Sequence, residues 1–205
     1  ACFREPEGPE GKNMRTTLTT LLTLSLAALL IAGCASPMER GLNLDRVGVA
    51  ESVPDEQIAA IRNVTRDGRF TFAGAPEERG LRYLAADGYE MVVNLRTDRE
   101  MQERVDFDEA SLVRSLGMTY EQIPVSGDTF SPDDVDRFAE ALARVDGPVL
   151  IHCASSGRVG MMWAAYLHRK RGFSKQEAIE KGEAAGLGDR ESTRAALQRV
   201  MNAPK

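Results

Sequence analysis

A short apolar run, Val149, Leu150 and Ile151, stops at His152 and Cys153. Four small residues follow, Ala154, Ser155, Ser156 and Gly157, and then Arg158. Beyond Val159 and Gly160 the chain is apolar without a polar face: Met161, Met162, Trp163, Ala164, Ala165, Tyr166, Leu167. A short apolar run bounded by turn formers reads as a buried strand, and a longer one as a helix buried all round. A strand feeding such a helix through a tight loop belongs to a layered α/β fold, in which helices cover the sheet. The same connection is chemically pointed. Loop N–H groups and the positive end of the following helix converge on one spot, which suits an anion. A cysteine at the mouth of that cradle has its thiolate favoured by the field. An arginine there offers two parallel donors to an oxyanion.

The rest of the chain repeats the strand-and-helix pattern. Residues 69–74 carry Phe70 and Phe72 in alternation and end at Gly74, a short strand. Pro76 opens a helix with Leu81, Leu84 and Ala85 on one face, closed by Asp87 and Gly88. Residues 90–96 read as a buried strand, and 100–116 as a helix with Leu112, Val113 and Leu116 inward and Gly117 as its stop. A strand follows over 118–125. Ser131 and Pro132 then open a helix carrying Val135, Phe138, Leu142 and Val145, ended by Gly147. Ser174 and Glu177 form a capping box for a helix running to Gly186, and a last helix covers 191–201. Strands alternating with helices imply right-handed crossovers and a mostly parallel central sheet flanked by helices. Ligands of such sheets bind beyond the carboxyl ends of the strands. Cys153 and the Ser126, Gly127, Asp128, Thr129 loop both fall on that edge.

The front end has a different composition. Residues 1–13 are polar and rich in Pro and Gly, and read as an upstream extension outside the fold. Met14 and Arg15 begin a segment whose apolar stretch, 18–32, is too short for a ~20-residue membrane span. Residues 14–33 therefore read as a signal peptide with a small-residue exit, Ile31, Ala32, Gly33, Cys34. Residues 34–52 read as a tether, and 53–205 as one catalytic domain. The net charge of −5 speaks against a nucleic-acid partner. The three cysteines, at 2, 34 and 153, lack metal-ligand spacing and only two histidines accompany them, so no metal or other cofactor is expected.

Two resemblances add to this. The exit at Cys34 resembles the lipobox of bacterial lipoproteins. That implies a lipid on Cys34, membrane attachment through it, and a periplasm-facing place in the cell envelope. Ala35 and Ser36, with no Asp after the cysteine, imply the outer membrane. The run from Pro148 through Cys153 to Arg158, with Ala165, Tyr166 and Leu167, then Gly172, Phe173 and Ser174 and the helix bearing Glu177 and Ala178, resembles dual-specificity protein tyrosine phosphatases. It is most similar to the bacterial phosphatase-like domain named after beta-lactamase hydrolase-like proteins. Val92, Val93, Asn94, Leu95 and Arg96, and the segment from Gly117 to Val125, resemble that group too. The resemblance covers about residues 69–186. It implies the three-layer sandwich of the cysteine phosphatases and hydrolysis of a phosphomonoester on a small molecule or protein. Cys153 would be the nucleophile, forming a cysteinyl-phosphate. Arg158 and the amides of Ala154, Ser155, Ser156 and Gly157 would hold the oxyanion, and His152 would orient and help activate the thiol. Asp128 is the first choice as general acid, with Asp133 and Asp134 as competitors.

The sequence departs from the phosphatase pattern in two places. Four residues separate Cys153 from Arg158 where that class has five. A loop of this length resembles rhodanese-type sulfurtransferases, which carry a persulfide on the cysteine and take sulfur from a donor. Val159 stands where a Ser or Thr usually stabilises the departing thiolate, leaving Ser155 or Ser156 to substitute. Sulfur transfer, or anion binding without turnover, is therefore the alternative expectation. Trp163 and the Met pair read as core. His168, Arg169, Lys170 and Arg171 read as a basic helix end, and Arg96 and Arg99, which follow another strand, as surface residues in preference to lining the same edge.

Overall fold

The computed structural model describes residues 51–52 and 60–204. Segments 1–13 and 14–33, Cys34 and nearly all of the 34–52 tether lie outside the described residues, so the lipobox reading is an expectation from sequence. Among the described residues six strands form one sheet: β1 (Glu51–Ser52), β2 (Thr65–Asp67), β3 (Phe70–Ala73), β4 (Met91–Asn94), β5 (Thr119–Gln122) and β6 (Val149–His152). Their order is β1-β2-β3-β6-β4-β5. Strands β3, β6, β4 and β5 pair in parallel, and β1 and β2 add antiparallel at one edge. The expected mostly parallel sheet is there. The β2–β3 hairpin was not anticipated, although its two-residue loop, Gly68 and Arg69, puts glycine at the first position, where it takes the φ of +58° that such a hairpin turn favours.

Seven helices are present among the described residues: α1 (Glu78–Ala86), α2 (Asp98–Arg104), α3 (Glu109–Ser115), α4 (Pro132–Leu142), α5 (Gly157–Lys170), α6 (Lys175–Ala184) and α7 (Glu191–Asn202). Register and alternation sort the sheet into two faces. Thr71, Leu150, Val92 and Tyr120 lie in one row, with His152 and Asn94 two residues further on the same face. That face packs against Leu81 and Leu84 of α1 and Val113 of α3. The opposite face presents Phe70 and Phe72, whose rings lie 4.8 and 5.0 Å from that of Trp163 in α5. Phe138 of α4 meets Tyr166 of α5 edge-on at 5.4 Å, and α6 and α7 pack against α5. Helices on both faces make the three-layer sandwich. Trp163 and the Met pair are buried in its core.

The helix expected over 100–116 is two helices. Thr97 and Glu100 form a capping box that starts α2, which stops at extended Val105. Asp108 then accepts from the Ser111 amide at 2.9 Å and starts α3. Asp108 followed by Ser111 is a cap signature, and a cap between two helical runs breaks the helix. Of the residues expected inward, Val113 is buried, and Leu112 and Leu116 are partly buried against the same core. Val145 lies beyond the end of α4, which stops at Leu142.

Candidate active site

Cys153 follows β6 directly. Its amide donates to Ala73 O at 3.3 Å, and the residue is 1% exposed. The next residues leave the sheet but stay tied to it. Ala154 O accepts from the Ala75 amide at 3.3 Å, and Ser155 pairs with Gly74 in an isolated antiparallel bridge. In a planar trans peptide the carbonyl and the following N–H point in opposite directions. With the Ala154 carbonyl held against Ala75, the Ser155 amide faces the other way. Ser156 adopts a left-handed φ of 71°, a strained conformation for serine. Its hydroxyl donates to Ala185 O at 3.0 Å beyond α6, and its carbonyl accepts from Gly160 N at 3.1 Å in α5. The hydroxyl of Ser156 is thus engaged, so of the two serines considered for the departing thiolate only exposed Ser155 retains a free hydroxyl among the described residues. The first-turn amides of α5, from Gly157, complete the concave edge.

Arg158 is fastened at several points. Nη1 and Nη2 each donate at 2.6 Å to the two carboxylate oxygens of Glu100, and Nη1 also reaches Val125 O at 3.0 Å and Leu95 O at 3.3 Å. The guanidinium has a second donor edge, Nε–H with the other Nη2–H, parallel and suited to an oxyanion. Burial works against the charge of Arg158. The Glu100 hydrogen bonds and the neighbouring Cys153 sulfur outweigh it, and its pKa ends raised. Glu100 is held down at about 2, chiefly by Arg158, with burial opposing and Thr97 assisting. Sequence reading gave Glu100 no role. Its signal was the capping box with Thr97, which places the carboxylate at the start of α2 on the carboxyl edge of the sheet.

His152 lies on the other face of the sheet, fully buried. Its Nε2 stands 2.7 Å from Oε1 of buried Glu109, although the ring N–H is not aimed at that oxygen, so this is a close polar approach and not a hydrogen bond. Asn94 donates to Glu109 Oε2 at 3.2 Å and to the Tyr120 hydroxyl at 2.9 Å. Burial, with Glu109 next, pushes that hydroxyl far above the usual tyrosine range. Glu109 is the second functional candidate that sequence reading missed. It sits in the segment read as one helix, where a buried glutamate leaves no periodic trace.

The acid candidates separate. Asp128 is exposed in a turn after β5, three residues beyond Val125, whose carbonyl accepts from Arg158. Asp134 accepts from Ser131 N and Oγ at 3.0 and 2.9 Å and serves as a helix cap. Asp133 is exposed in the first turn of α4. Arg96, whose amide donates to Asn94 Oδ1 at 2.8 Å, is only 7% exposed, whereas Arg99 is a surface residue paired with Glu103. In the basic run, Arg169 donates to Val200 O, Ala203 O and Pro204 O, fixing the end of α7, and Lys170 pairs with Asp136.

The family model described as the beta-lactamase hydrolase-like protein, phosphatase-like domain, matches residues 60–167. A beta-lactamase hydrolase-like protein of Xylella fastidiosa is 32% identical over 105 residues, 51% of this chain and 24% of that protein. The chain thus spans about a quarter of the length of the curated relatives it matches. Among solved structures, TpbA of P. aeruginosa aligns with a TM-score of 0.56 at 24% identity, covering 76% of this chain and 90% of its own. Tk-PTP in its active form aligns with a TM-score of 0.54 at 26% identity, covering 66% and 92%.

Proposed function

Because this chain belongs to the family of phosphatase-like domains of beta-lactamase hydrolase-like proteins, we propose that it is a cysteine-type phosphatase that hydrolyses phosphomonoesters. The reading rests on one observation above all. Arg158 is locked by Glu100, Leu95 O and Val125 O beside the Cys153 sulfur, and its second donor edge has the parallel geometry that suits an oxyanion. The Cys153 thiolate attacks phosphorus and the ester P–O bond breaks. The leaving alkoxide takes a proton from Asp128. Arg158 and the loop amides hold the equatorial oxygens as charge develops. Water, deprotonated by Asp128, then attacks the cysteinyl-phosphate, and inorganic phosphate and thiolate are released. Purified protein is expected to turn over an aryl phosphate and to lose all turnover on Cys153→Ser. Turnover that survives this substitution would overturn the reading. So would sulfur transfer from thiosulfate through a Cys153 persulfide in place of phosphate release.

The sequence pattern at 14–34 supports export and lipid attachment at Cys34, and the following Ala35 and Ser36 support the outer membrane. Metabolic labelling with palmitate, lost on Cys34→Ala, is the expected result. Undiminished labelling would count against it.

A further inference from the structure

Arg199 lies on α7, outside the 60–167 segment matched by the family model, and sequence reading gave it no role. Its Nη2 donates to Gly127 O and to Phe130 O, both at 3.0 Å. Those two carbonyls bracket Asp128 and Thr129. The turn between them is closed by its own bonds: Phe130 N to Ser126 O at 3.0 Å, and the Ser126 and Thr129 hydroxyls 3.1 Å apart. Such internal bonds set the shape of the turn but not its attitude towards the rest of the molecule. Attitude is set from outside, by Arg158 on Val125 O before the turn, by the buried side chain of Phe130 at its end, and by Arg199 on the carbonyls either side of Asp128 and Thr129. The first turn of α7 adds contact, since a Cβ on Gly127 would lie 3.4 Å from Ser192 O.

We propose that Arg199 is a positioning residue that holds the Asp128 turn where the carboxyl can reach the leaving oxygen. The proposal rests on the reading of Asp128 as general acid. Proton transfer needs the acid within hydrogen-bond reach of the oxygen it protonates. A guanidinium bridging two carbonyls on either side of the acid limits tilting of the turn. A lysine amine at the same place can bridge them less rigidly, because it lacks the planar fork.

The test compares turnover of two aryl phosphates by the full chain, one with a strongly acidic phenol as leaving group and one with unsubstituted phenol. The first needs little protonation on departure and the second needs it fully. Asp128→Asn is expected to lose about 100-fold or more on phenyl phosphate and little on the activated ester. Arg199→Ala is expected to reproduce that split, with a loss of about 10- to 100-fold on phenyl phosphate. Arg199→Lys should fall between, and the rate of Cys153 alkylation should stay the same in both Arg199 variants. A merely structural role would slow both substrates alike, and that result, or no effect on either, overturns the proposal. If Asp128→Asn shows no split, the general-acid reading fails and takes the Arg199 role with it. If Asp128→Asn splits the substrates and Arg199→Ala does not, only the role of Arg199 fails.

Discussion

The two loops at the carboxyl edge of the sheet are built on opposite principles. The 153–158 loop is a buried, long-range construction. Cys153 and Ser156 are inaccessible, Ser156 is held in a left-handed conformation, and its fixing contacts come from the segments after β3 and α6. The 126–130 loop closes on itself through Ser126 and Thr129, exposes Asp128 and Thr129, buries Phe130, and is clasped from outside by arginines. A nucleophile and an oxyanion cradle work by geometry fixed in advance, so strain there is tolerated where packing over-determines it. On the proposed mechanism Asp128 is a proton donor that exchanges with water, and an accessible turn suits that role. The cradle should therefore fail through packing and the turn through placement.

The largest expected effect tests the cradle. Arg158→Lys keeps a cation for Glu100 but removes the second parallel edge. Turnover of an activated aryl phosphate should fall about 10²- to 10³-fold, the scale for losing a preorganised oxyanion donor. Asp128→Asn should cost far less on that substrate. Steady-state kinetics on both variants check this, and a reversed order would break the contrast.

Glycines offer the next test, on stability. A Cβ at Gly160 would lie 2.2 Å from Leu187 N and 2.3 Å from Gly182 O, both backbone atoms that cannot swing aside. Gly160→Ala should therefore destabilise by about 3 kcal/mol or more, towards the upper end for overpacking. At Gly127 the nearest atom to a Cβ is Ser192 O at 3.4 Å, an ordinary contact. Gly127→Ala should stay within about 0.5 kcal/mol, as surface changes do. Denaturant midpoints for the two variants measure the difference directly.

What was legible in the sequence divides along the same line. Strand β6, the small loop and α5 are contiguous, so their apolar runs revealed them together with Cys153 and Arg158. The caps at Ser131 and Ser174 are local hydrogen-bond patterns and read correctly. Glu100 was invisible because its partner lies 58 residues away, and only the folded sheet brings α2 to the same edge. Glu109 was hidden for a related reason. A buried carboxylate looks like a surface one until His152 and Asn94 are known to face it. Arg96 was misjudged because an arginine after a strand is usually solvated, whereas this one is buried, with its amide bonded to Asn94.

Glu100→Gln probes how firmly the cradle arginine is anchored. Glu100 is held at about 2, below the ordinary 4.5 expected of the unfolded chain. A depressed carboxylate contributes stability that is complete above the unfolded value and lost as pH falls towards the folded one. The parent protein should lose this contribution between about pH 4.5 and pH 2. Glu100→Gln should lack that part of the acid transition, and at neutral pH it should be less stable by about 1–2 kcal/mol, the scale for disturbing a charged hydrogen bond. Acid unfolding followed by circular dichroism measures both.

The smallest effect is the one that separates function from folding. The Asp128 side chain is exposed, and no hydrogen bond or ion pair to it is made among the described residues. The turn around it is closed by Ser126 and Thr129, and its neighbouring carbonyls by Arg199. Asp128→Ala should therefore change unfolding free energy by no more than about 0.5 kcal/mol, while Thr129→Val, which removes a hydroxyl bonded to Ser126 N at 3.1 Å, should cost about 1 kcal/mol. If Asp128 is the general acid, its loss should show in turnover and leave the fold unchanged. Thermal unfolding of the two variants beside phenyl phosphate turnover makes the distinction. If Asp128→Ala loses stability in step with activity, the turn is structural after all, and the contrast between the two loops collapses.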